Sequence, residues 1–173
     1  MNGQTIEKVN ILSEHIKKAE EYAKASLDYT FDRFKLTKEE RYEKIFIGKV
    51  GEEIVKDLFR KNNISFKDDQ TSAQELDSFD LIVGDKKIDV KTCSKEFHIR
   101  LFVVKNKFDT YKKHDYYVAV KIDLEKKKAV VCGYATKDDI TNAKVENKGY
   151  KDNYSIFLKD LKPIYELIEM LNI

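Results

Sequence analysis

The chain carries only two cysteines, Cys93 and Cys132, far apart and flanked by no other cysteine. That is too few for a zinc site, and both are expected to be reduced packing residues in or beside strands. No apolar run approaches the roughly 20 residues of a membrane span, and the amino terminus lacks the charged and apolar regions of a signal peptide. The expectation is a cytoplasmic protein with no membrane partner. Neither sign of charge dominates. With 33 Lys and Arg against 31 Asp and Glu, the net charge of +2 neither demands nor excludes a nucleic-acid partner. No repeat, low-complexity run or linker divides the chain. What is there is 42% hydrophobic and 37% charged over 173 residues. That composition suits one globular domain, long enough to bury about two thirds of its unfolded surface without a staple.

Residues 5–27 place Val9, Leu12, Ile16, Ala19 and Ala23 at alternating spacings of three and four, predicting an amphipathic helix. Its apolar face either packs on its own domain or forms a dimer seam. Tyr29 to Leu36 reads as aromatic and turn-like. Thr37-Lys38-Glu39-Glu40 is a capping box that opens a second helix reaching about Arg60, with Ile47, Val50, Gly51, Ile54, Val55 and Leu58 as its core stripe. Lys61-Asn62-Asn63 is its stop, Ile64 to Phe66 is extended, and Asp68 to Ser78 is a polar loop. Further on, strands are predicted over His98–Val104, Asp115–Ile122 and Lys128–Tyr134, with a short helix or turn over Asn106–Lys113. Thr136 to Asp139 opens a short helix. Pro163 suits the first position of a last helix with Ile164, Leu167, Ile168 and Leu171 on one face.

The most informative stretch runs from Phe79 to Thr92 and reads as two short strands around Gly84-Asp85. Gly first in a two-residue loop is what a type II′ turn prefers. Alternation sends Ile88 and Val90 to the core, leaving Asp89 and Lys91 on the other face. A two-residue loop also sets Asp80 opposite Asp89, their Cβ atoms about 5 Å apart. Like charges facing each other destabilise a ladder, so two carboxylates and an ammonium gathered at one spot point to a divalent cation. A loop one residue longer would turn Asp80 to the opposite face and remove the argument.

This ordered set resembles the PD-(D/E)xK nuclease superfamily, whose members include restriction endonucleases and Holliday-junction resolvases. The resemblance covers Ile47 to about Tyr134 and rests on Gly48-Lys49-Val50-Gly51-Glu52, Phe79-Asp80 and Asp89-Val90-Lys91. Phe79 stands where the family usually has proline, and Asp89 where glutamate is commoner. The resemblance implies an α/β fold with a restriction-endonuclease-like mixed β-sheet flanked by helices. In that scheme a single domain comprises an N-terminal helical extension (1–36), an α-β-β-β-α-β catalytic core (37–135) and a helix-strand-helix completion (136–173). It further implies that Asp80 and Asp89 bind Mg²⁺ or Mn²⁺ and that the Val90 carbonyl adds a ligand. Lys91 would contact the attacking water or the scissile phosphate. Glu52 would bind metal through water or order a site residue. The chemistry also stands without the family: hard oxygen donors suit Mg²⁺, which can turn a bound water into a nucleophile, and a nearby ammonium gathers phosphoryl oxygens. An exposed Asp89–Lys91 ion pair is the plain alternative. The helix acid is Glu52 or Glu53, both on boundaries of the core stripe. Glu52 shares its side with Gly48 and Phe59, Glu53 lies between Lys49 and Asp57, and the family's Gly-Glu pattern selects Glu52.

Lys95, His98, Arg100, Lys105, Lys107, Lys112, Lys113 and His114 follow the Asp-x-Lys strand, interleaved with Phe97, Phe102, Phe108 and Tyr111. Such a set can track phosphates beside a metal, although charge runs are commonly just solvated faces. His98 is either a general base or an ordinary strand histidine. Gln70, Thr71, Ser72 and Gln74 are candidates for reading base edges or simply a solvated loop. The leading reading is a Mg²⁺-dependent endonuclease hydrolysing phosphodiester bonds in DNA. The rivals are a catalytically inactive nuclease-fold protein that binds nucleic acid and a dimeric interaction module. A two-strand cut needs two clusters, so restriction-type cleavage favours a homodimer.

Overall fold

Elements alternate along residues 6–27, 36–68, 80–111 and 114–173, the parts that the computed structural model describes. They are β1 (Glu7–Asn10), α1 (Ser13–Ser26), α2 (Lys38–Lys61), β2 (Lys67–Asp68), β3 (Leu81–Val83), β4 (Lys86–Cys93), β5 (Arg100–Val104), α3 (Lys105–Tyr111), β6 (Tyr116–Asp123), β7 (Lys128–Thr136), α4 (Lys137–Thr141), β8 (Lys144–Asn147), β9 (Asp152–Phe157) and α5 (Ile164–Leu171). The main sheet is mixed, in the order β1-β7-β6-β4-β3-β2. Within it β4 and β6 run parallel and the other pairs antiparallel. A second, antiparallel sheet has the order β5-β9-β8.

The capping box predicted at Thr37 is present: its hydroxyl accepts the Glu40 amide at 3.2 Å, and Glu40 Oε2 accepts the Thr37 amide at 2.7 Å. The helix it opens buries Val50, Gly51, Ile54, Val55, Leu58 and Phe59. These side chains meet Ile88, Val90, Val118, Val120 and Val131 from one face of the main sheet, and Ile164 and Leu167 of α5 join the same core. The other face packs Tyr117, Ala119 and Cys132 against Leu101, Val103, Phe108, Ile140 and Tyr154. Alternation along β4 and β6 therefore feeds two cores from one layer.

Several expectations are corrected. The first helix begins at Ser13, because Glu7–Asn10 instead pairs with β7 as an edge strand of the main sheet. Val9 and Leu12 thus leave the predicted stripe, and Leu12 is exposed. His15 takes over at the helix start, where its Nδ1 accepts the Leu12 amide at 3.0 Å while its Nε2 meets Asp57. Ala19 and Ala23 are fully buried within the chain, where α1 packs on α2. The strand expected at 98–104 forms, but it joins the second sheet through β9 rather than the main one. The C-terminal segment holds a hairpin, β8 and β9, in place of the single strand expected between helices. Pro163 lies one residue before α5 as its N-cap. The expectations for Tyr29 to Lys35 and for Asp69 to Ser78 lie outside the described residues, as does Phe79. Among the described residues no helix is long and apolar enough to cross a membrane.

Candidate functional site

The predicted turn forms. Gly84 has φ of 60°, Asp85 is not in the left-handed region, and the ladder reads Val83↔Lys86, Ile82↔Lys87 and Leu81↔Ile88. The pairing stops there, one residue short of the expected Asp80–Asp89 match. Instead the Asp80 amide donates to the Ile88 carbonyl at 3.2 Å, and Asp80 Oδ2 accepts the Val90 amide at 2.6 Å. Asp80 thus brackets Asp89 from both sides along β4. Beyond Ile88 the β3 side of β4 pairs with no further strand among the described residues, and the Asp80 carboxylate takes the Val90 amide there.

Asp89 is buried, and Lys91 Nζ lies 2.6 Å from its Oδ2, a charge contact that falls short of hydrogen-bond alignment. Lys91 keeps 44% of its side chain accessible. Glu52 reaches the same place from α2. Burial first, and then Glu52 and Asp89, push the Asp80 carboxyl well above its ordinary range, against the Val90 amide and Lys91. Burial pulls the Lys91 ammonium down, but Asp89, Asp80 and Glu52 together outweigh it and hold it above its usual value. Glu52, Asp80, Asp89 and Lys91 are therefore one electrostatic cluster. Glu53 is not part of it: that side chain is buried on another flank with Lys56 at 2.8 Å, and Lys56 in turn meets Asp68 at 2.8 Å.

The close approach of helix to strand occurs at Gly51 and not at Gly48. A Cβ on Gly51 would sit 1.8 Å from Thr92 Oγ1, whereas one on Gly48 would meet nothing within 4 Å. That contact fixes the height at which Glu52 stands over the end of β4. Four neighbours were not tied to the acids by sequence reasoning, although His114 was counted in the basic set. Lys49 Nζ donates to Glu52 Oε2 at 2.8 Å, which moves Lys49 from the Glu53 flank to the site. His114 Nε2 lies 3.9 Å from Asp89 Oδ1. Tyr117 pairs with Asp89 in the parallel register, and burial followed by Asp89 drives its hydroxyl pKa up. Lys44 is depressed by burial and then by Lys91 and Lys151, so it stands within electrostatic reach of both. Only the helical phase of Lys44 and Lys49 was available from sequence; the parallel partner of β4 was not.

His114 of the basic set stands beside Asp89, and its other described members are dispersed. Lys95 is exposed, and Arg100 is committed to Glu146 while its guanidinium lies 4.2 Å over the Phe157 ring. Lys105 pairs with Asp109 at 2.5 Å. Lys107 lines a cleft with Lys151, and Lys112 and Lys113 lie outside the described residues. His98 has Lys121 and Lys95 as charged neighbours rather than the acids. Both cysteines are free, and burial pushes the Cys132 thiol up to about 11, as suits packing residues.

A family model described as a protein of unknown function (DUF1822) matches residues 113–173. No curated protein and no solved structure matches the chain. The matched stretch holds β6 to α5 and none of Glu52, Asp80, Asp89 and Lys91.

Among the described residues no three His, Cys, Asp or Glu side chains converge as a metal cage. Mg²⁺ asks for less, since it commonly keeps several waters and takes one or two carboxylates. Asp80 and Asp89 fit that requirement: the Asp89 charge raises Asp80's cost of ionisation, and Asp89 Oδ2 already draws the Lys91 ammonium to 2.6 Å, where a cation would stand.

Proposed function

We propose that this chain is a Mg²⁺- or Mn²⁺-dependent endonuclease that hydrolyses phosphodiester bonds in DNA, built on a restriction-endonuclease-like core. The observation that carries the reading is the Asp80 carboxylate on the Val90 amide at 2.6 Å, which holds it beside Asp89. Asp80 and Asp89 would hold the metal, with the Val90 carbonyl and Glu52 as further or water-mediated contacts. A divalent ion there supplies a water of lowered pKa and neutralises charge on the phosphate. Lys91 places positive charge where phosphoryl oxygens gather it. Lys49 keeps Glu52 aimed at the site through their 2.8 Å contact. Plasmid incubated with the purified chain and Mg²⁺ or Mn²⁺ should be nicked or linearised, and Lys91→Ala or Asp80→Asn should abolish the product. Cleavage that persists in both variants would sink the reading.

One observation favours a second reading. Lys91 already sits 2.6 Å from Asp89, a pairing that can stand in for a cation. A nucleic-acid-binding protein without activity would then show DNA affinity falling steeply with salt and no metal-dependent product.

A further inference from the structure

A surface cleft of 490 Å³ lies between the start of α3 and the turn joining β8 to β9, and Lys105, Lys107, Tyr150 and Lys151 line it. The turn is closed by the Lys148 amide donating to the Lys151 carbonyl at 3.2 Å, with Gly149 at φ 86°. This leaves Tyr150 89% exposed, the most exposed tyrosine among the described residues, with no packing role within the fold. The acids of the cleft are already engaged. Asp109 takes Lys105 at 2.5 Å and the Tyr154 hydroxyl at 2.6 Å, and Asp152 takes the Asn147 side-chain amide at 2.9 Å.

We infer that this cleft binds a single-stranded segment of nucleic acid, with a base stacked on Tyr150 and phosphates on Lys107 and Lys151. The inference rests on the nuclease reading for the class of its ligand, a nucleic acid. Two features select a single strand over a duplex. An exposed aromatic ring offers a stacking face that only an unpaired base can use, and it tolerates any sequence. The volume is that of a small-ligand cleft, roughly one or two nucleotides, and a paired helix does not enter it.

The test measures fluorescence anisotropy of the full chain in EDTA, where binding proceeds without cleavage. The probes are a blunt duplex and the same duplex carrying a short single-stranded tail. The tailed probe should bind more tightly. Tyr150→Ala should weaken it about five- to hundredfold, the worth of one stacked base, and leave the blunt probe unchanged. Tyr150→Phe should keep the advantage, and Lys107→Ala or Lys151→Ala should each lower the salt slope for the tailed probe by about one. Equal binding of the two probes, or equal weakening of both by Tyr150→Ala, overturns the inference. If that happens while plasmid cleavage still requires Asp80 and Lys91, the nuclease reading stands without it. Tail binding that depends on Tyr150 with no metal-dependent cleavage supports the cleft and overturns the nuclease reading instead.

Discussion

Asp80 Oδ2 accepts the Val90 amide at 2.6 Å, so a side chain finishes a ladder that the backbone of β3 leaves incomplete. One carboxylate therefore has two duties, a structural one toward Val90 and an electrostatic one beside Asp89, and substitutions can separate them. Asparagine retains an oxygen that can accept the Val90 amide, whereas alanine leaves that donor unpaired, at a cost of about 1–3 kcal/mol. Both remove the charge, so both should abolish cleavage, but only Asp80→Ala should unfold at markedly lower urea. The pH dependence adds a sign. The folded pKa of Asp80 is raised above 3.8, so the folded state holds its proton longer than the unfolded one, and stability falls as pH rises above that value. Asp80→Asn should flatten this slope. A slope unchanged in the asparagine variant would show that Asp80 is not the group responsible.

The two glycines of α2 should respond in opposite directions to the same methyl group. At Gly51 a Cβ would come within 1.8 Å of Thr92 Oγ1 and 2.8 Å of Thr92 Cβ. Gly51→Ala should therefore destabilise by about 1–3 kcal/mol, as overpacking does, and it should lower cleavage by lifting Glu52 from β4. Thr92→Ala in the same chain should restore only part of the loss, since the Cβ contact remains. Gly48→Ala meets no neighbour within 4 Å and replaces a poor helix former, so it should stabilise by about 0.5–1 kcal/mol. Denaturant midpoints of the three variants settle the signs.

What could be read in the sequence was local. Thr37 with Glu40 announced α2, and Gly84-Asp85 fixed the register that brings Asp80 to β4, because capping and turn chemistry are decided within a few residues. β1 was missed because Val9 and Leu12 happen to continue the spacing of Ile16, Ala19 and Ala23, while the strand's partner, β7, lies more than a hundred residues away. For the same reason β5 was placed in the main sheet: its partner β9 is distant, and nothing in Arg100–Val104 identifies it. The acid cluster was legible as types and order. Lys49 and His114 were not, since one depends on the rotation of α2 and the other on which strand runs parallel to β4.

Arg100 was expected to meet phosphate, but its guanidinium bonds Glu146 and holds that carboxyl down to about 2 from 4.5. A depressed carboxyl stabilises the fold fully above its unfolded pKa and loses that contribution as pH falls. The window here runs from about 4.5 down to about 2. Urea midpoints measured between pH 6 and pH 2 should fall more steeply for the wild-type chain than for Glu146→Gln or Arg100→Ala. Arg100→Ala should leave the salt dependence of DNA binding unchanged. A reduced salt slope in that variant would return Arg100 to the nucleic-acid surface.

On the proposed reading, Lys91 and a divalent cation would compete for one oxygen of Asp89. The ammonium lies 2.6 Å from Asp89 Oδ2, where a metal held by Asp80 and Asp89 would also draw charge. Removing the ammonium should therefore help metal binding while destroying the reaction that needs it. An ion pair this accessible is worth about 0.5–1 kcal/mol, so Lys91→Ala should bind Mn²⁺ about two- to fivefold more tightly in calorimetry while showing no cleavage. Asp89→Asn and Asp80→Asn should lose Mn²⁺ binding altogether, and with it any metal-induced rise in Tm. Should Lys91→Ala bind Mn²⁺ more weakly than the wild-type chain, the ammonium would be holding Asp89 in place for the metal instead of competing with it. The acid pair would then have to be read as a site assembled by Lys91.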